Sequence, residues 1–135
     1  MRNDYLSEMR IVGIRRNLVS IAAAPTTFNS IDTTGYRNCL FVVHVDYTSG
    51  GKSNEFTIEE SDDNTSWSST GVVKNFSGSD ELTSISMLCD SSKRKRYLRL
   101  SVTAYTGTTT PSCIAVLFNE AITPDALANV DVSVI

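Results

Sequence analysis

"RNCLFVVHVDY", residues 37–47, runs through "TSGGK", residues 48–52, into "NEFTIEE", residues 54–60. The first run alternates. Leu40, Val42 and His44 share one face, and Phe41, Val43, Val45 and Tyr47 share the other. A period of two is that of a β-strand. Both faces are largely apolar, so this strand is expected at the centre of a sheet, covered on both sides or placed at an oligomer contact. Gly50-Gly51 marks a hairpin loop. The return strand sets Phe56 and Ile58 inward and Glu55, Thr57 and Glu59 outward.

The same pattern spreads outward from this hairpin. "MRIVGIR" (9–15) and "LVSIAA" (18–23) read as strands, and Pro25 interrupts before "TFNSI". "DTTGY" (32–36) is a turn in which Gly35 supplies a positive φ. Residues 67–76 give a further strand or two. "SISMLC" places Ile85, Met87 and Cys89 on one face. "RYLRLSVTAY" points Leu98, Leu100, Val102 and Ala104 inward, and "SCIAVLFN" is a second strand apolar on both sides. No long segment carries a helical stripe. "TPDAL" (123–127) is the one small helix candidate, with Thr123 as cap and Pro124 in the first turn.

Short strands at this spacing predict an all-β fold, an antiparallel β-sandwich of jelly-roll type. One domain spans residues 1–135, with an N-terminal arm (1–10) and a C-terminal tail or edge strand (122–135). "ANVDVSVI" alternates, with Val130, Val132 and Val134 on one face. A terminal strand of this kind needs an edge to pair with, in its own sheet or a neighbour's.

The chain has 135 residues and a net charge of -3. A negative balance argues against sequence-independent nucleic-acid binding, so no direct nucleic-acid contact is expected. No run is long enough for a helix to span a membrane, and no membrane partner is expected. "RRNLVSIAAAP" imitates a secretory signal, but Asp4 and Glu8 precede it and Ser20 interrupts its apolar part, so no signal is expected. Cys39, Cys89 and Cys113 have no metal spacing and read as buried thiols in a reducing compartment.

Catalytic constellations are missing. His44 stands alone in mid-strand, and no nucleophile elbow, zinc motif or phosphate loop is present. No catalytic residue, metal or cofactor is expected. Glu59, Glu60, Asp62, Asp63 and Asn64 gather oxygen donors, but not at Ca²⁺-loop spacing; the favoured reading is a turn whose Asp and Asn side chains hold backbone amides. Trp67 is then expected to bury its ring at the start of the next strand. The run Lys93-Arg94-Lys95-Arg96 reads as a solvated loop, or else as a dock for an acidic protein surface.

Four stretches, "IDTTGYRN", "FTIEESDDNTSW", "RKRYLRLSVT" and "CIAVLFNEA", resemble small virion proteins of tailed bacteriophages, of the capsid cement or decoration type. The resemblance covers about residues 31–121. It implies a structural protein on the capsid surface, made in the host cytoplasm, that is no enzyme. It further implies two partners, the major capsid protein and the chain itself, as a homodimer or homotrimer. Partner contacts are expected at Tyr5, Leu6, Met9 and Arg10 of the N-terminal arm and at Val130, Val132 and Val134. The S-D-D corner and the R-Y-L-R strand also resemble the discoidin jelly roll. That likeness implies the alternative of a carbohydrate-binding module or virion adhesin using Trp67, Asp62 and Asp63. The chain lacks that family's bracketing cysteines and its tryptophan-rich start.

Overall fold

The computed structural model describes residues 9–15, 21, 23–47, 52–78, 81–119 and 132–134. Ten strands follow in order: β1 (Arg10–Arg15), β2 (Thr26–Thr27), β3 (Ile31–Asp32), β4 (Asn38–Tyr47), β5 (Lys52–Ser61), β6 (Ser68–Gly78), β7 (Glu81–Asp90), β8 (Tyr97–Thr106), β9 (Ser112–Phe118) and β10 (Val132–Val134). A 3₁₀ turn, Ser91–Lys93, joins β7 to β8. The predicted strand at residues 18–23 leaves one described trace, a bridge from Ile21 to Thr109. The helix candidate at 123–127 lies outside the described residues.

One sheet has the order β1-β9-β4-β7-β10; the other has β2-β8-β5-β6, with β3 also on β8. β10 lies parallel to β7. The other pairings are antiparallel and nested: β5 with β6, β4 with β7, β2 and β3 with β8, and β1 with β9. A hairpin nested in this way and rolled into two sheets is the jelly roll, so the chain is an all-β sandwich as its periodicity predicts. β4 lies between β7 and β9, the central place its two apolar faces predict.

The core fills the space between the sheets. Phe41, Val43 and Val45 from β4 meet Phe56 and Ile58 from β5, with Ile85, Met87, Leu98, Leu100 and Leu117, all fully buried. Each such side chain contributes about 1.5–3 kcal/mol by leaving water. Phe28 packs edge-on against Phe56 with ring centres 6.3 Å apart, which seals the end of the core beside β2. Cys39, Cys89 and Cys113 are buried and unbonded to one another. Burial pushes the Cys113 thiol up to about 12 and the Cys89 thiol to about 11.

One predicted orientation changes, in β8. The pairing of β5 with β8 slips between Glu55 and Phe56: Phe56 faces Val102, yet Glu55 faces Ala104. Thr103 is therefore an extra residue, a β-bulge, and the alternation of β8 inverts beyond it. Ala104 becomes exposed instead of buried, and Tyr105 turns to pack against the core. Thr57 faces outward as expected, between the inward Phe56 and Ile58, yet it is buried on that face, with its hydroxyl 3.1 Å from that of Thr103. The turn at 32–36 forms as predicted: Gly35 has φ +87°, and the Tyr36 N–H donates to the Thr33 carbonyl at 3.0 Å.

Candidate functional site

The acidic corner between β5 and β6 is a knot of local hydrogen bonds. Asp63 Oδ1 accepts from the N–H groups of Thr65 (2.9 Å) and Ser66 (2.7 Å) and from the Ser61 hydroxyl (2.9 Å). Asn64 takes a left-handed φ of 59°, as the reversal requires. The Ser66 N–H first, then that of Thr65 and the Ser61 hydroxyl, hold the Asp63 carboxyl well below the usual carboxylate range. One Asp63 oxygen is thereby committed to building the corner. Trp67, expected to be buried, is half-buried, and its cover is a cation. The Arg99 guanidinium lies 4.2 Å from the ring centre, and its Nε donates to Glu59 Oε2 at 2.6 Å. β5 and β8 set this up, because Glu59 and Arg99 face each other in register.

The basic run is spent on carboxylates from elsewhere in the fold. Lys93 Nζ lies 3.7 Å from Asp90, Arg94 Nη1 4.0 Å from Glu60, and Lys95 Nζ 3.4 Å from Asp62. Arg96 grips Asp32 through two nitrogens, Nη2 to Oδ2 at 2.8 Å and Nε to Oδ1 at 3.2 Å. Each of four consecutive cations thus has its own acid. The run ties the ends of β3, β5 and β7 to the start of β8. It is not a free positive patch, which weighs against the docking alternative.

His44 is exposed on β4, with Nδ1 3.1 Å from Ser84 Oγ. Among the described residues no carboxylate bonds the ring. A shallow groove of about 280 Å³ lies on the second sheet, lined by Ser53, Asn54, Glu55, Asn75, Ala104, Tyr105 and Thr106. Its carboxylate already accepts from the Thr103 hydroxyl at 2.5 Å.

The two sheets present different outer surfaces. The second carries Glu55, Glu59, Arg99 and Trp67. On the first, register aligns Ile11, Val116, Leu40 and Leu88 across four strands. Gly13, Ile114, Val42 and Ser86 form the next row. Exposure grows toward β1: Leu88 is 3% exposed, Ile114 42% and Ile11 66%. Periodicity put Leu40 and Val42 on one face of their strand. It did not show that the rows join, because register between strands distant in sequence is set by the winding.

Of the expected contact residues, Met9 and Arg10 are exposed at the start of β1. Val132 and Val134 lie in β10, opposite Ser86 and Leu88 of the chain's own β7. The terminal strand therefore completes its own sheet, one of the two arrangements its pattern allows. Tyr5, Leu6 and Val130 lie outside the described residues.

No protein-family model matches this chain, and no curated protein matches it. Solved structures that align with it include the following two. The SPBc2 prophage-derived protein YomS is 12% identical with a TM-score of 0.47, covering 81% of this chain and 91% of that one. The Tobacco streak virus coat protein is 10% identical with a TM-score of 0.38, covering 96% and 97%. Likeness at this level says nothing of what this chain binds.

Proposed function

We propose that this chain is a structural protein of a virus particle, a decoration or cement subunit that binds a shell and bridges neighbouring major capsid subunits. The observation that carries the reading is the contrast between spent chemistry and unspent surface. The acid corner, the basic run and Trp67 are satisfied within the fold. Ile11 and Ile114 on the outer face of the first sheet, near Met9 and Arg10, are exposed and left to meet a partner. The sequence resemblance supports the same reading.

A subunit of this kind needs no reaction. It needs a rigid scaffold and contacts to more than one shell subunit. Bridging converts modest contacts into strong avidity, and binding favours the assembled shell over its parts. Met9, Arg10, Val132 and Val134, with Tyr5, Leu6 and Val130, are the proposed contacts.

The experiment is co-sedimentation of the full chain with shells of its source virus that lack it. Saturable binding at a fixed ratio to the major capsid protein is expected. Removing residues 1–8 should abolish it while the circular dichroism spectrum stays unchanged. A shortened chain that still saturates shells removes the arm from the account. A full chain that binds no shell removes the function.

A further inference from the structure

We propose that two copies of this chain join through β1, antiparallel, about a two-fold axis that passes at Ile11. The two first sheets then become one continuous ten-stranded sheet.

The argument starts from the edge. β1 is the last strand of its sheet, and β9 occupies one of its sides. Among the described residues nothing pairs with the other side. An open edge is a template for a further strand. Between Arg10 and Arg15 the strand is Ile11-Val12-Gly13-Ile14, without charge. Ile11 is 66% exposed, a high value for an isoleucine on a regular strand, and it ends the apolar row that runs across the sheet.

A second copy fits this edge because one register continues the apolar row through Ile11 and opposes no like charges among the described residues. With the axis at Ile11, residues whose numbers sum to 22 face each other. Ile11 meets Ile11 of the second copy, so the row runs unbroken through both sheets. Arg10 faces Val12 of the second copy. Met9 faces Gly13, where no side chain intrudes and a Cβ would meet nothing within 4 Å. The competing register centred on Arg10 sets Arg10 against Arg10 of the second copy and opposes like charges. The two-fold also consumes both free β1 edges at once, so the assembly stops at a dimer.

This inference goes beyond the shell-binding reading and does not rest on it, since the pairing belongs to the free chain. The test is sedimentation velocity of the full chain across a concentration series, with two variants. A dimer is expected for the unaltered chain. Ile11→Arg should weaken it on the order of a hundredfold, by setting two cations face to face at the axis. Ile11→Cys should be joined into a covalent dimer by a short thiol–thiol cross-linker, while the unaltered chain, whose thiols are buried, is not joined. A chain that is monomeric at every concentration overturns the proposal. So does a dimer that Ile11→Arg leaves intact, or an Ile11→Cys dimer that cannot be joined. The cross-link keeps the test decisive should the arginine variant fail to fold.

Discussion

Arg99 covers Trp67: its guanidinium sits 4.2 Å from the ring centre while its Nε reaches Glu59 at 2.6 Å. The contact occupies the aromatic face that a sugar would stack upon. Trp67→Ala should therefore cost stability and not ligand affinity. A loss of about 1–3 kcal/mol is expected, from lost ring burial and the cation–π contact. Arg99→Ala should reproduce part of it. Urea unfolding of both variants reads the loss. A glycan array that responds to the unaltered chain and falls silent for Trp67→Ala would restore the carbohydrate-binding alternative, with the groove at Tyr105 as its remaining support.

Acid should weaken the fold through Asp32. The guanidinium of Arg96 first, then the Thr34 hydroxyl, hold its carboxyl well below the ordinary value of 3.8. A group that titrates lower folded than unfolded stabilises the fold above its unfolded value and loses that contribution as pH falls toward its folded one. The unfolding midpoint should thus drop progressively below about pH 4. Asp32→Asn should start lower and drop less steeply. Because Asp63 and Asp90 are also lowered, the variant should flatten the curve without abolishing its slope. Thermal melts across the acid range read both curves.

Gly107 should not tolerate a side chain. It follows β8 at φ +72°, and a Cβ there would lie 2.7 Å from Lys52 Cγ. The left-handed conformation alone costs an L-residue about 1–2 kcal/mol. Gly107→Ala is expected to lose at least that, measured by urea unfolding. The flexible lysine stem can yield, so the backbone term should dominate.

Ser101 is fully buried, and its hydroxyl has no protein partner among the described residues. A buried hydroxyl without a partner costs roughly 1–3 kcal/mol. Ser101→Ala should leave stability unchanged or raise the thermal midpoint by a few degrees. A clear loss would mean that the hydroxyl is satisfied by a bound water that the alanine displaces.

The sandwich was legible because its strands obey a period of two. Phe41, Val43 and Val45 share one face as their spacing predicts, as do Ile85, Met87 and Cys89, and both faces are the buried ones. Ala104 was misread because one extra residue, Thr103, inverts the alternation, and a bulge leaves no mark in hydrophobicity. The pairing of the basic run was invisible for a different reason. Arg96 meets an acid 64 positions away, and Lys95 donates its N–H to Glu60 35 positions away. Such partners are fixed by the winding of the chain, not by local pattern. The acid corner was legible, because Asp63 needs only its immediate neighbours.

The most direct test of the central claim is the copy number of this chain in purified particles of its source virus. Quantitative mass spectrometry against the major shell protein gives it. A cement subunit predicts a count comparable to the shell protein, in a fixed ratio. Absence from the particles would contradict the account, and a handful of copies would contradict its cementing form in favour of a fibre, vertex or tail component.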